Sequence, residues 1–253
     1  MRRIFLFALS LAACGPGSPN SHSDTAVADP TPGDSGVSED TSGDTSGTAD
    51  TSDNSIDFPT ISGDCFVLDS ELTDSAPSLF ANSIDFEELG FNADYLSDGG
   101  NTIYASDNAG GSSIYSEVFA FELLHRCENA VLLKTETEIV YTDSEGKITD
   151  MLLEIDSVKI GVSVTRAFAY PPETPYTQEL AQALLEKKLS GVLESSSNVG
   201  PEDAWSKQIL HILAYTPDHQ ARVLESYEKL ESSLKSDTIV VVTSTEGEDA
   251  FLY

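Results

Sequence analysis

A chain of 253 residues with 43 Asp and Glu against 13 Lys and Arg carries a formal charge of −30 at pH 7. Nucleic-acid binding depends on cations replacing phosphate counterions, so this balance speaks against a nucleic-acid partner, and no run of Lys and Arg stands past Arg3. The length fits one domain or two small ones, and no apolar run reaches the roughly eighteen residues of a membrane span.

Arg2 and Arg3 open the chain and precede a short apolar run, Ile4–Leu11, and two alanines. Residues 1–13 therefore read as a signal peptide, and Arg2-Arg3-Ile4-Phe5-Leu6 leaves the twin-arginine export route open beside the general one. Leu11-Ala12-Ala13-Cys14 resembles the bacterial lipobox. That resemblance implies cleavage before Cys14, diacylglycerol and palmitate on its sulfur and amine, and a lipoprotein held on a membrane of the cell envelope, outer membrane or surface rather than inner. Each buried CH₂ of a lipid contributes about 0.8 kcal/mol, enough for a multiply acylated cysteine to anchor the chain.

Residues 14–60 hold nine acids and no Lys or Arg, and repeat Asp-Thr-Ser-Gly at Asp40–Gly43 and Asp44–Gly47. Low hydrophobicity with like charges cannot offset the entropy of ordering, which predicts a disordered, extended tether. The alternating ligands and terminal Glu of a Ca²⁺-binding loop are missing from it. Residues 61–115 read as a loop-rich lead-in, with a short strand over Asp64–Asp69, a helical turn over Ser83–Leu89, and turn clusters at Ser97–Asn101 and Ser106–Gly111. Once Cys14 takes lipid, Cys65 and Cys127 remain, as either one disulfide or two buried thiols.

From residue 116 to 253 the pattern sharpens into the order α-β-β-β-α-β-α-β. Ser116–Arg126 reads as a helix on which Glu117 falls between Leu124 and Phe121, either as a first-turn acid favoured by the helix dipole or as a carboxylate facing a site. Glu122 and Arg126 form an i,i+4 pair. Ala130–Tyr141 is a strand, and Lys147–Asp156 with Val158–Phe168 form a hairpin turning at Asp156-Ser157. Pro171, Pro172 and Pro175 break the chain, Thr177 caps a helix to about Glu194, and Lys207–Tyr215 is a buried strand with His211 as a core histidine. Thr216-Pro217-Asp218 starts a helix that ends at Asp237, before the buried strand Thr238–Thr243. The fold class is α/β, with α+β as the alternative: a mixed sheet flanked by helices.

Alternation in the hairpin puts Met151, Leu153, Ile155, Ile160, Val162 and Val164 on a core face. Ile148, Asp150, Leu152 and Glu154 share the other face with Lys159, Gly161, Ser163 and Thr165, pairing Asp150 with Ser163 and Glu154 with Lys159. A helix bearing an acid, three strands with an Asp on the second and Gly161-Val162-Ser163-Val164-Thr165 on the third, then helix and strand, resembles the PD-(D/E)xK restriction-endonuclease-like superfamily. The resemblance covers residues 116–242. It implies a core of αβββαβ with an added αβ unit, Glu117 as the first-helix acid, Asp150 as the metal-binding Asp, and Mg²⁺ or Mn²⁺ as cofactor. Ser163 stands where a second carboxylate belongs and Thr165 where the lysine belongs, and some members carry the lysine on the next helix, where Lys187 and Lys188 lie. The string Lys159–Ala167 is also similar to one in a group of proteins of uncharacterised activity. The expectation is a lipid-anchored protein whose folded part is a non-catalytic binding or structural module, with a protein or small ligand as its partner. The alternative is a divalent-metal phosphoester hydrolase or nuclease using Glu117, Asp150 and Lys187 or Lys188.

Overall fold

The computed structural model of the chain describes residues 57–107 and 113–253. The chain divides into Met1–Thr51 and Ser52–Tyr253, and every element below belongs to the second unit. The signal peptide, Cys14 and most of the tether lie outside the described residues.

Seven strands form one sheet: β1 (Thr60–Gly63), β2 (Ser78–Asp85), β3 (Val131–Thr135), β4 (Met151–Ile155), β5 (Val158–Ala167), β6 (Lys207–Ala214) and β7 (Ile239–Glu246). Their order is β1-β2-β7-β6-β5-β4-β3. The four central strands run parallel, and antiparallel pairs close both edges. The helices are α1 (Asp98–Ala105), α2 (Ile114–Glu128), α3 (Gln178–Asn198), α4 (Pro217–Glu228) and α5 (Ser232–Lys235).

Each face of the sheet carries its own core, because strands covered on both sides must be apolar on both. On one face α1 and α2 pack Ile103, Phe119 and Leu123 against Met151, Leu153, Val162, Ile209 and Val241. On the other, α3 and α4 bring Leu185, Leu189, Val192 and Val223 onto Leu210, Ile212, Val240 and Val242. Both crossovers, β5-α3-β6 and β6-α4-α5-β7, run over this second face. Thr177 and Thr216 cap α3 and α4 by accepting from Leu180 and His219 N–H, and Pro217 sits where no backbone donor is needed.

The hairpin turns where the sequence placed it. Asp156 and Ser157 have φ of 48° and 67°, and the ladder pairs Ile155 with Val158, Glu154 with Lys159 and Met151 with Val162. The six apolar residues of the expected core face are all buried in the first core. Glu154 and Lys159 share a register but form no ion pair; Lys159 Nζ reaches the Glu202 carbonyl at 3.4 Å instead.

The lead-in departs from its expected form. It supplies β1, β2 and α1, and β2 pairs with β7 at the far end of the chain, Ser78 beside Ile239. The strand expected over Asp64–Asp69 lies earlier, at Thr60–Gly63, and in the helical turn expected over Ser83–Leu89 the first three residues end β2 while Leu89 N–H closes a turn on Phe86 O at 2.8 Å. Ser97–Asn101 begins a helix: the Ser97 hydroxyl accepts from Gly100 N–H and donates to Glu122 Oε1 at 2.7 Å. Glu122 is thus a buried acid shared by Ser97 and Arg126 (3.1 Å), more than a surface pair. A side chain at Gly99 would strike Phe121 and one at Gly100 would strike Glu122, so the glycines mark a close approach of α1 to α2. The strand expected over Ala130–Tyr141 ends at Thr135, where the Thr135–Glu138 box caps a 3₁₀ turn; within the strand the register shifts between Leu132 and Lys134.

Cys65 and Cys127 form a disulfide with Cα atoms 4.7 Å apart, which settles the open alternative for the pair. Beside it the Glu128 carboxylate accepts from Val67 N–H (3.2 Å) and Leu68 N–H (3.1 Å). Together they tie the segment after β1 to the end of α2. Closing a loop of 62 residues in the unfolded chain is worth about 4 kcal/mol in the chain-entropy account. Cys65→Ser should therefore lower the unfolding free energy of oxidised protein in urea by about 4 kcal/mol and change reduced protein little; equal stability of both oxidised forms would refute the bridge.

Candidate functional site

The residues implied by the resemblance lie around the end of the hairpin remote from its turn, where β4 begins and β5 passes under α3. Regular pairing stops at Met151–Val162, so Asp150 and Ser163 are not a cross-strand pair as expected. Instead the chain bends: Asp150 N–H donates to Val162 O at 3.0 Å, and Asp150 Oδ2 accepts from Val164 N–H at 2.6 Å. The Ser163 hydroxyl meets Thr149 Oγ1 at 2.9 Å, both buried. The carboxylate thus completes the backbone bonding of β5, and the serine is occupied by its neighbour.

α3 brings its lysines over this spot. A cavity of about 150 Å³ is lined by Asp150, Ser163, Lys187, Lys188, Gly191 and Glu136, with Lys147, Ile148 and Val192 completing its wall. Lys188 is half-buried and its Nζ lies 3.4 Å from the Val164 carbonyl, so the helix-borne lysine does reach the strand. Lys187 is exposed beside it. Lys188 also lines a second cavity of about 140 Å³ with Ser113, Ser116, Glu117, Val164, Thr165 and Arg166. Glu117 is buried at the first turn of α2 and accepts from the Ser113 hydroxyl at 2.9 Å. Arg166 shares that second cavity with Thr165, and its Nη1 donates to Leu252 O at 2.7 Å. Glu117, Asp150, Ser163, Thr165, Lys187 and Lys188 are thus brought to two adjoining cavities joined by Lys188.

Electrostatics at Asp150 follow from this placement. Burial pushes its carboxyl up to about 7; Val164 N–H and Lys188 pull it down, while Glu117 and Glu136 push it further up. Asp150 is half-buried and lines the cavity. His211 is remote in chemistry from the site: fully buried, it meets Thr243 Oγ1 at 2.7 Å, and burial pushes it down to about 3, so it is neutral. Thr243 in turn donates to Asn82 Oδ1 at 2.6 Å, which makes the histidine nitrogen the donor.

A Mg²⁺ or Mn²⁺ ion needs several hard oxygen ligands around one point. The donor set does not fit it: Ser163 offers a hydroxyl already paired with Thr149, and Asp150 Oδ2 already accepts from Val164 N–H. Among the described residues no group of three or more His, Cys, Asp or Glu is placed to hold a metal. Nor is any described helix long and apolar enough to cross a membrane. Lys147, Glu136 and Gly191 escaped the sequence reading. Lys147 and Glu136 lie in irregular chain where alternation fixes no direction, but Gly191 carried a signal, a glycine in the middle of an amphipathic helix.

The chain is similar to the AAC-rich mRNA clone AAC4 protein of Dictyostelium discoideum, at 39% identity over 164 residues. The match takes in 62% of this chain and 24% of that protein, so the chain spans about a quarter of its relative's length. At most 51 of the matched residues fall in Met1–Thr51, so most of the match lies in the folded unit. No family model and no solved structure matches the chain.

The raised Asp150 carboxyl gives a pH dependence with a definite sign. Between about 4, where an unfolded Asp titrates, and about 7, the folded state holds a proton that the unfolded state has lost, so stability falls as pH rises through this window. Asp150→Asn keeps an acceptor for Val164 N–H and removes the titration. It should melt above wild type at pH 8 and level with it at pH 4; a gap independent of pH would show that another group titrates.

Proposed function

We propose that the chain is an exported lipoprotein, held on a cell-envelope membrane through Cys14, whose folded unit keeps a restriction-endonuclease-like frame and acts as a non-catalytic binding module. The frame is supported by the run α2-β3-β4-β5-α3-β6, with β3, β4 and β5 antiparallel in turn and β5 parallel to β6. This is the helix and strand order on which the resemblance rests, with β7 and its helices added beyond it. The single observation that carries the non-catalytic reading is the use of Asp150 and Ser163 within the fold. One completes the backbone of β5 and the other pairs with Thr149. Cleavage of a phosphodiester in this frame depends on a cation that activates water and neutralises the transition state, and these two positions are the ones that would hold it.

The acid excess of the chain supports a partner other than nucleic acid. The match to a quarter of a longer protein supports a unit that works as a module attached to other segments. A hydrolase reading draws its one support from Lys188, whose ammonium does reach the strand.

Two measurements decide between them. Millimolar Mg²⁺ or Mn²⁺ should leave the melting temperature unchanged and release no nitrophenol from bis(p-nitrophenyl) phosphate. A metal-dependent rise in melting temperature that Asp150→Ala removes, together with turnover, would establish the hydrolase. For the anchor, Cys14→Ser should move the protein from the membrane to the soluble fraction, and unchanged membrane association would refute lipidation at that cysteine.

A further inference from the structure

No run of bases in the sequence announces a basic site, yet tertiary structure builds one. Of the 13 Lys and Arg in the chain, Lys147, Lys187, Lys188 and Arg166 line the two cavities that share Lys188. Lys147 comes from the loop before β4, Lys187 and Lys188 from α3, and Arg166 from β5. The ion pairs among the described residues are Arg126–Glu122 and Lys134–Asp203, which involve none of the four. Four cations from three separate segments thus meet at two cavities that also hold Glu117, Asp150 and Glu136, although no run of Lys and Arg stands in the sequence past Arg3.

Gly191 supplies the second observation. It sits within α3 in the wall of the cavity of about 150 Å³, and a Cβ built on it would meet nothing within 4 Å. Glycine inside a helix is destabilising relative to alanine because it loses more backbone freedom on folding. Protein packing does not require it here, since alanine would fit. What its missing side chain does is bare the helix backbone to the cavity, which suits a ligand that approaches closely.

The third observation is the connection to a larger space. Lys147 also borders an open groove of about 510 Å³ along α3, lined by Asp143, Gly146, Ser190, Leu193 and Ser197 among others. Lys147 therefore stands where the groove meets the small cavity. The cavity is well below the roughly 300–1,000 Å³ of a site that encloses a whole drug-sized ligand, but holds one tetrahedral oxyanion. Its charged lining is Lys147, Lys187 and Lys188 against Asp150 and Glu136, which leaves a positive balance for an anion. Ammonium groups act as point charges toward phosphate, and three of them suit a dianion better than a singly charged carboxylate.

We propose that this cavity binds the phosphoryl group of a small phosphate monoester. Lys147, Lys187 and Lys188 are its cationic partners, Gly191 gives it close approach to α3, and the organic part lies in the groove beyond Lys147. This names a ligand for the site already read as non-catalytic, and rests on that reading only in making the phosphate a ligand and not a substrate.

The test is calorimetry and thermal melting of the folded chain in EDTA, with phenyl phosphate, inorganic phosphate and benzoate as probes. Phenyl phosphate should bind and raise the melting temperature, inorganic phosphate should bind more weakly, and benzoate should do neither. Lys187→Met and Lys188→Met should each weaken phenyl phosphate about tenfold, the loss of one charge-assisted contact. Gly191→Leu should abolish binding without lowering the melting temperature of the free protein. Absence of phosphate binding at millimolar concentration overturns the proposal, as does binding that Lys187→Met, Lys188→Met and Gly191→Leu leave unchanged. Lys187 is exposed, so its substitution tests the site even where the helix glycine proves essential to folding. Equal affinity for both phosphates overturns the role of the groove. Release of phenol when Mg²⁺ or Mn²⁺ replaces the EDTA would sink the non-catalytic reading and leave the phosphate site standing, so the two failures are distinguishable.

Discussion

Asp156 and Ser157 both adopt left-handed backbone, and this two-residue turn locks Ile155 against Val158 with the twist that hairpins favour. Side chains alternate along a strand, so a slip of one residue would send Met151, Leu153 and Val162 to the wrong face. The locked register puts them under α2 and leaves the opposite face to α3. The hairpin is also the hinge of the sheet's topology: antiparallel pairing toward β4 and β3 gives way at β5 to parallel pairing with β6 and β7. A parallel neighbour needs a crossover, and the crossover is α3. The helix that carries Lys187, Lys188 and Gly191 is therefore brought over the start of β4 by the same register that builds the core.

That geometry turns a degenerate motif into something else. Where β4 begins, the ladder ends, and the unpaired Val164 N–H would face a covered region without a partner. Asp150 fills that gap, and Thr149 and Ser163 satisfy each other beneath α3. A carboxylate used this way spends one oxygen on the backbone of β5. Three lysines stand against two acids in the cavity lining, a local balance opposite in sign to that of the chain as a whole. Short-range charge placement decides what the cavity accepts, because the distant acids are screened within a Debye length of about 8 Å in physiological salt.

Most elements from α2 to β7 were legible in the sequence; the exceptions are β3, which stops at Thr135, and the single helix expected from Thr216 to Asp237, which is broken into α4 and α5 at Lys229–Glu231. The helix starts at Thr177 and Thr216-Pro217, the apolar runs of β6 and β7, and the turn at Asp156-Ser157 are local signals, and each element lies close to where its signal placed it. The lead-in was not legible. β2 is half-buried and mixed in polarity, and its partner β7 lies some 160 residues away, so no local pattern marks Ser78–Asp85 as part of the sheet. Likewise Ser97-Asp98-Gly99-Gly100 looks like a turn, and becomes a helix start only because Phe121 and Glu122 press against its glycines.

By itself the sequence determined the alternation that separates core from cavity in the hairpin, the helix caps and the acid excess. These are properties of neighbouring residues, and neighbours fix backbone conformation and side-chain direction. Only the tertiary structure decided that Cys65 meets Cys127, that Lys147 joins Lys187 and Lys188, and that Asp150 completes the backbone of β5. Those depend on which distant segments pack together, and burial and charge act through space with no regard for separation along the chain.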